Sequence, residues 1–172
     1  MNLVYALLGG NLGDVPETFK QAVEQIKLQI GYCKRLSNIY VSEPWGFKSK
    51  DYFYNQALVI ETDKSPEEIL KHFLLIEKLL GRTRNNDYSE YVSRNIDIDI
   101  LFFNDLIVNS KKLSIPHPLV HYRAFALLPL AEIAPTLMHP VLNKTIVQIL
   151  SDCEDISYIR TIKQHTSKTV IR

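Results

Sequence analysis

The sequence predicts an α+β fold, a ferredoxin-like α/β sandwich with a mainly antiparallel sheet and helices packed on it. The main observation is the order of elements, because a strand–helix–strand pattern occurs twice in succession along the chain. The second observation is length, since 172 residues are enough for one domain with a full core. No internal repeat, low-complexity linker or domain boundary interrupts residues 1–172, which are predicted to form a single domain.

The first unit begins with a buried strand predicted for residues 4–8, followed by a glycine-rich turn at residues 9–14. This turn lacks the Lys-Ser/Thr pair of a P-loop, so we interpret it as a strand-to-helix connection. Asp14 can cap the helix that follows, with Pro16 in its first turn. The apolar stripe of this helix is Phe19, Val23, Ile26 and Ile30. The next strand is predicted for residues 35–41.

The second unit begins with a strand predicted for residues 55–62. Residues 65–68, Ser-Pro-Glu-Glu, then form a capping box with proline at the first helical position. The apolar stripe of this helix is Ile69, Phe73, Ile76 and Leu80. Gly81 stands where a left-handed C-terminal cap belongs, and the polar residues 82–93 lead to the next strand.

The last third of the chain has weaker signals. Asn104 and Asp105 can turn a hairpin from the preceding strand into residues 106–108. Helices are predicted for residues 122–128 and 146–150. We assign no role to the tail beyond Leu150.

Composition excludes several classes of protein. The hydrophobic fraction of 46% and the charged fraction of 23% are ordinary for a soluble globular protein. A net charge of +1 gives no general affinity for nucleic acid or an anionic membrane surface. Apolar runs are too short for a membrane span, and the first residues lack the basic start of a signal peptide. Cys33 and Cys153 lack metal-ligand spacing, so we expect free thiols in a cytoplasmic protein.

The segment from Arg94 to Phe103 carries the most informative pattern of the chain. Its alternation places Asp97 and Asp99 on one face of a strand, ~6.5 Å apart at ~3.3 Å rise per residue. The isoleucines at 96, 98 and 100 share the other face. Two neighbouring carboxylates repel each other unless a cation lies between them, so they favour one or two hard ions such as Mg²⁺. The alternative is a half-exposed antiparallel strand whose polar face happens to carry aspartate.

Basic side chains surround this aspartate pair in the sequence. They are Arg82, Arg84, Arg94, Lys112, His117 and Arg123. A divalent cation together with guanidinium groups is typical of a polyphosphate site. Taken singly, a surface arginine is more often simply solvated, and only the combination favours a phosphate site. His117 lies between two prolines and could donate to a phosphate oxygen or serve only as a turn residue.

A third group of residues could bind a flat heterocycle. Trp45, Phe53 and Phe125 offer aromatic faces for stacking, and the Asn55 amide can both donate to and accept from a base-like edge. The alternative for Phe53 and Phe125 is packing in the core.

With these features in view, the chain resembles the 6-hydroxymethyl-7,8-dihydropterin pyrophosphokinase family over roughly residues 3–150. The matching motifs occur in the family's order. They are Gly9-Gly10-Asn11-Leu12-Gly13-Asp14, Ser37-x-x-Tyr40-x-Ser42-x-Pro44-x-Gly46, Phe53-Tyr54-Asn55-Gln56-Ala57, Ile76-Glu77, Gly81-Arg82-x-Arg84, Arg94-x-x-Asp97-Ile98-Asp99-Ile100-Leu101, Pro116-His117-Pro118 and Arg123-x-Phe125. Each motif alone is weak, but the ordered set is specific.

The resemblance implies transfer of pyrophosphate from ATP, the co-substrate, to the hydroxymethyl group of a pterin, with release of AMP. It implies two Mg²⁺ ions on Asp97 and Asp99, with Arg82 and Arg94 on the phosphates as the other catalytic residues. The implied ATP-binding residues are Arg84, Ile100, Lys112, Ser114, His117 and Arg123. The implied pterin-binding residues are Ser42, Pro44, Trp45, Phe53, Asn55, Tyr91 and Phe125. Small molecules are the expected partners of a protein that is expected to be a monomer.

The chain departs from the family pattern just before Arg94. Tyr91-Val92-Ser93 stands where the family usually has a small Gly-Pro or Gly-Ala pair, and the segment 85–93 is slightly longer. Tyr91, or alternatively Tyr88, is the candidate aromatic cover for the pterin. Two other readings stay open: an Asp-x-Asp nucleotidyltransferase, and a non-catalytic ferredoxin-like ligand-binding domain.

Overall fold

The structure is a computed structural model and describes residues 1–45, 51–82 and 94–162. Its strands and helices follow one another along the chain in this order: β1 Asn2–Gly10, α1 Val15–Gln29, β2 Tyr32–Leu36, β3 Ile39–Ser42, β4 Phe53–Thr62, α2 Pro66–Leu79, β5 Asp97–Phe103, β6 Val108–Asn109, β7 Ser114–Ile115, a 3₁₀ helix Val120–Tyr122, α3 Ala124–Ile133, α4 Ile146–Asp152 and β8 Ile159–Ile162. Among the described residues, no helix is long and apolar enough to cross a membrane.

One antiparallel sheet organises the molecule. Its strands lie in the order β5-β1-β4-β3-β8, and β2 pairs with the other half of β4. Two strand–helix–strand units thus interleave, with β1 and β4 at the centre and β5 at the edge beside β1. This arrangement is the ferredoxin-like topology, so the fold class predicted from the sequence is confirmed.

Apolar side chains fill both faces of the sheet. On one face α1 and α2 contribute Phe19 and Phe73, which are fully buried against strand residues such as Leu8. On the other face α3 and α4 contribute Leu127 and Ile146, which pack with Phe102 and others. Each such side chain contributes roughly 1.5–3 kcal/mol of hydrophobic stabilisation, so the sheet is held from both sides.

The helix starts predicted from sequence are confirmed. The Asp14 carboxylate accepts the Glu17 N–H at 3.1 Å at the start of α1. At the start of α2 the Ser65 hydroxyl accepts the Glu68 N–H at 3.3 Å, and the Glu68 carboxylate accepts the Ser65 N–H at 2.7 Å. Gly81 has a φ of +89°, the left-handed conformation expected after the helix.

The strand predicted for residues 35–41 is wrong as a single element, because the structure divides it at Ser37 and Asn38. The Ser37 hydroxyl donates to the Asn38 carbonyl at 2.7 Å and accepts the Ala57 N–H at 3.0 Å. The Gln56 side chain donates to the Ser37 carbonyl at 2.7 Å. Side chains therefore take over bonds that a continuous ladder would make, and the chain steps from β2 to β3.

Two further predictions need correction. The hairpin predicted to return from β5 is wrong, since β6 pairs with β7 instead. Asn104 rather closes the turn onto β1, where its side-chain oxygen accepts the Leu3 N–H at 2.8 Å. The helix predicted for residues 122–128 begins at Ala124 and runs to Ile133. It is longer than predicted because Pro129 lies inside the helix and does not end it.

Candidate active site

The aspartate pair lies on β5 at one edge of the sheet. Asp97 lies opposite Gly9 and Asp99 opposite Leu7, on the sheet face that also packs against α3. Ile98 and Ile100 point to the other face, where they are 4% and 5% exposed. The alternation predicted for this strand is therefore present, and both carboxylates occupy a half-buried position beside the second core.

Asp97 is the centre of an ion-pair network. Its Oδ1 lies 2.6 Å from Nη1 of Arg82, and its Oδ2 lies 2.8 Å from Nη1 of Arg94. The same Arg82 nitrogen lies 2.6 Å from Oε2 of Glu77 on α2. Burial by itself would lower the pKa of Arg82, but the carboxylates of Asp97 and Glu77 outweigh it and raise that pKa. Arg82 is therefore a permanent cation between two carboxylates.

Glu77 is a site residue whose role the sequence did not reveal. Its side chain is 3% exposed, and its Oε1 accepts the Ile98 N–H at 2.8 Å. Among the strands that the structure describes, β5 lies at the edge of the sheet, so the Glu77 carboxylate rather than a neighbouring strand accepts this amide. The signal in the sequence was an acid beside Ile76, in the buried stripe of α2.

Asp99 is in a different electrostatic position from Asp97. Burial, followed by repulsion from Asp97, raises its pKa to about 7, although Arg123 and Arg94 act against this. The positive charge near Asp99 is thus too small to hold the pKa of this carboxyl in its usual range. A divalent cation would supply that charge, so the two side chains fit a Mg²⁺ site.

The described residues contain no cluster of three or more His, Cys, Asp or Glu side chains that could hold a metal ion. The described part of the chain thus offers two carboxylates rather than a full cage. Mg²⁺ commonly binds in this way, with one or two carboxylates, several waters and the phosphate oxygens of a substrate.

His117 is oriented by its own loop. Its N–H donates to the Leu101 carbonyl on β5 at 2.9 Å, and its Nδ1 accepts the Leu119 N–H at 3.1 Å. The neutral ring consequently carries its proton on Nε2, which is the free donor position. Burial, then the Arg123 charge, lowers the pKa of His117 to about 4, although Asp97 opposes the shift. His117 is thus a neutral hydrogen-bond donor at physiological pH.

This shift predicts a contribution to acid sensitivity. The pKa of His117 is about 4 in the folded state, against 6.5 for an ordinary histidine in the unfolded state. As the pH falls below 6.5 the unfolded state therefore binds a proton first, and the free energy of unfolding decreases until about pH 4. His117→Asn keeps an acceptor for the Leu119 N–H but removes the titration. Between pH 7 and pH 5 the wild type should lose about 1 kcal/mol more unfolding free energy than the variant. Urea unfolding at both pH values measures this loss, and His72→Asn is the control. If the wild type and His117→Asn lose the same unfolding free energy between pH 7 and pH 5, the prediction is wrong.

The amide and hydroxyl of the candidate pterin pocket lie on the same sheet face. Asn55 on β4 is 4% exposed, and its Nδ2 donates to Oγ of Ser42 on β3 at 3.3 Å. Gly9 lies between Asn55 on one side and Asp97 on the other. A Cβ at position 9 would come 3.5 Å from Oδ1 of Asn55, so glycine leaves the floor between the two strands open.

Aromatic rings cluster at the start of α3. The Trp45 and Phe125 ring centroids are 6.4 Å apart in an edge-on arrangement. The Arg123 guanidinium carbon lies 4.9 Å from the Trp45 centroid and 5.6 Å from that of Phe125. Phe53 pairs with Ser42 in the ladder and is half-buried on the same face. The structure thus brings Trp45 and Phe125 close to each other and places Phe53 on the same strand face as Asn55.

The other candidates are less tightly gathered. Ile100 turns its side chain into the core of α1 and α2, so a nucleotide could meet only its backbone. Lys112 is exposed in the turn between β6 and β7, and Ser114 begins β7. Pro44 is half-buried after β3. Arg84, Tyr91 and the alternative Tyr88 lie outside the described residues.

A family model described as 7,8-dihydro-6-hydroxymethylpterin-pyrophosphokinase (HPPK) matches residues 5–135. The chain belongs to this family. A 2-amino-4-hydroxy-6-hydroxymethyldihydropteridine pyrophosphokinase of Porphyromonas gingivalis is 39% identical over 141 residues, which cover 81% of this chain and 95% of that protein. The protein of the same name from Aquifex aeolicus is 35% identical over 144 residues, covering 84% of this chain and 88% of the relative. The resemblance predicted from the ordered motifs is confirmed.

Some relatives of this HPPK family member are much longer. The folic acid synthesis protein FOL1 of Dictyostelium discoideum is 39% identical over 147 residues, which cover 84% of this chain and 21% of that protein. Wild-type Plasmodium falciparum HPPK-DHPS has a TM-score of 0.73 at 19% identity, covering 88% of this chain and 44% of that chain. The chain thus spans about a fifth of the FOL1 protein and less than half of the HPPK-DHPS chain. The likeness to HPPK-DHPS shows that the two proteins share a fold.

Proposed function

We propose that the protein transfers the pyrophosphoryl group of ATP to the hydroxymethyl group of 6-hydroxymethyl-7,8-dihydropterin, releasing AMP, as a step of folate biosynthesis. The observation that carries this proposal is the common sheet face of Asp97, Asp99, Asn55 and Ser42, bordered by arginines. The names of two relatives that the chain covers almost completely agree with it. We also propose that the protein is a single domain, that it is a monomer and that it is located in the cytoplasm.

Asp97 and Asp99 would hold Mg²⁺, two ions in the full proposal. The metal would neutralise the charge of the triphosphate and lower the pKa of a hydroxyl bound near it. Arg82 and Arg94 now neutralise Asp97, and the same guanidinium groups are suited to phosphate oxygens. An incoming polyphosphate would therefore compete with Asp97 for both arginines and leave that carboxylate available.

Further groups would bind ATP around this centre. Arg123 faces the site from the start of α3 and acts on the pKa of both Asp99 and His117. The His117 Nε2–H would donate to a phosphate oxygen without carrying charge. Arg84 and Lys112 would add positive charge, with Ile100 and Ser114 beside the nucleoside.

The acceptor would occupy the floor formed by Gly9 and Asn55. The Asn55 amide, held by Ser42, would read the donor and acceptor edge of the pterin. Phe53 and Phe125 would stack on its faces, and Trp45 and Pro44 would border it. Tyr91 is the proposed aromatic cover.

In the reaction the pterin hydroxyl oxygen forms a bond to the β-phosphorus of ATP. The bond between that phosphorus and the oxygen bridging it to the α-phosphate breaks, AMP leaves with the oxygen, and the hydroxyl proton passes to solvent. Catalysis of this type depends mostly on positioning and on stabilisation of charge. We assign no side chain as general base.

The product distinguishes this function from its rivals. Purified protein with ATP, Mg²⁺ and the hydroxymethyl-dihydropterin should release AMP, measured by anion-exchange chromatography, and chelation of Mg²⁺ should stop the release. ADP would indicate a simple kinase, and inorganic pyrophosphate would indicate a nucleotidyltransferase. If AMP does not rise above the pterin-free control, the proposed function is wrong.

A further inference from the structure

Helix α3 is capped by a residue from far along the chain. Arg123 stands at its N-cap position, but the Arg123 side chain does not bond the first turn. Instead Oδ2 of Asp155 accepts the Ala124 N–H at 2.9 Å, across 31 residues of sequence. A carboxylate at this position satisfies an otherwise open amide and complements the positive end of the helix dipole.

The carboxylate of Asp155 is itself held in place. Its Oδ1 accepts the N–H of Ser157 at 3.0 Å and also accepts the Ser157 hydroxyl. Asp155 and Ser157 are both half-buried, whereas their neighbours Glu154 and Ile156 are exposed. The carboxylate that caps α3 is thus held in place by Ser157 of its own segment.

The same segment continues into the sheet. Two residues after Ser157 begins β8, which pairs with β3 and sets Ile159 opposite Ser42. We call residues 153–162 the C-terminal arm. The arm therefore joins α3, which carries Arg123 and Phe125, to β3, which carries Ser42. These two elements border the candidate pterin pocket from different sides, and the arm lies outside the part of the chain that the family model matches.

The capped amide belongs to Ala124, which lies between two residues of this border. Ala124 lies directly between Arg123, whose guanidinium group lies over the Trp45 ring, and Phe125, which contacts the same ring. A shift of the first turn of α3 would move both side chains together. Displacements of about 1 Å in substrate-positioning groups commonly cost up to 10²-fold in rate.

We propose that Asp155 is a positioning residue of the pterin pocket: by capping α3 it holds Arg123 and Phe125 in register with Trp45 and Ser42. This inference rests on the proposed function for its kinetic consequence. Its structural content, the link between the arm and the Trp45 environment, is independent of that function. Asp155 touches no reacting group, and its effect passes through the helix start.

The test compares loss of this cap with loss of an equivalent cap elsewhere. Asp155→Ala removes the α3 cap, whereas Thr145→Ala removes the N-cap of α4, where the threonine hydroxyl accepts the Gln148 N–H at 3.3 Å. Both variants should lower the melting temperature by similar amounts, since side-chain caps of this kind are of comparable strength. Glu154→Ala, at an exposed neighbouring position, controls for a lost charge on the arm.

Only Asp155→Ala should raise the KM for the pterin, by about fivefold or more, with a smaller change in kcat. Asp155→Asn keeps one oxygen acceptor and should recover part of the loss. Trp45, the one tryptophan of the chain, gives a second readout, because its fluorescence in the ligand-free protein should change in Asp155→Ala and not in Thr145→Ala. Equal pterin KM values in these two variants, together with unchanged Trp45 emission, would overturn the inference.

These outcomes separate the inference from the proposed function. A wild-type protein that releases no AMP overturns the function, while Trp45 emission still decides whether Asp155 positions the start of α3. An active wild type with an unaltered Asp155→Ala variant leaves the function standing and overturns the role of Asp155.

Discussion

Asp99→Asn is expected to lower the rate of pterin-dependent AMP release at least 10²-fold, as for other single groups that stabilise charge in a reaction. The substitution removes a carboxylate on the site face without changing side-chain size. Burial and the charge of Asp97 raise the pKa of Asp99 to about 7, so the ionised carboxylate lowers the stability of the folded state. The neutral asparagine does not carry this cost. The melting temperature at pH 7 or above should therefore stay the same or rise while activity collapses.

Asp97→Ala should lower activity as severely but act differently on stability. It leaves Arg82 and Arg94 without the carboxylate that both now contact, so it should also destabilise the fold. Asp105→Ala, in the exposed turn after β5, is the control for loss of one negative charge. Initial rates at saturating Mg²⁺ measure the effects. Retained Mg²⁺-dependent turnover in both site variants would refute the metal role.

Glu77→Ala is expected to lower the free energy of unfolding by about 2–4 kcal/mol, a large effect for one polar residue. The buried Ile98 N–H loses its acceptor, and Arg82 loses one of two carboxylates. Because these two contacts fix β5 and Arg82 relative to each other, AMP release should fall as well. Equilibrium unfolding in urea measures the stability and initial rates measure the activity.

Two variants show which contact of Glu77 matters. Glu77→Gln keeps an oxygen for the Ile98 N–H but not the charge that faces Arg82, so its stability should lie between those of the wild type and Glu77→Ala. Glu67→Ala, on the exposed side of the same helix, should change the free energy of unfolding by less than about 0.5 kcal/mol. If Glu77→Ala is no more destabilising than Glu67→Ala, the buried network is not a significant part of the fold's stability.

Local sequence rules predicted the parts of the fold that depend on neighbours along the chain. The Ser65 capping box, the Asp14 cap and the left-handed Gly81 each involve residues within four positions of one another, and each is present. The break at Ser37 failed to be predicted because its partners, Ala57 and Gln56, lie about twenty residues away.

The candidate site divides in the same way. Alternation along β5 predicted that Asp97 and Asp99 share a face, since that is a property of any strand. The floor at Gly9 could not be predicted, because it requires the register of β1 with both β4 and β5. In the sequence this glycine belonged only to a turn motif.

By itself the sequence determined the fold class, the family and the residue types of the site, because motif order and side-chain spacing are properties of the chain. Only the tertiary structure decided that Glu77 joins Arg82 to β5 and that Asp155 caps α3. These contacts depend on which helix packs beside which strand edge, and a buried polar group takes whatever partner that packing supplies. Their partners lie 5 to 31 residues apart along the chain, and the spacing of residue types alone does not pair them.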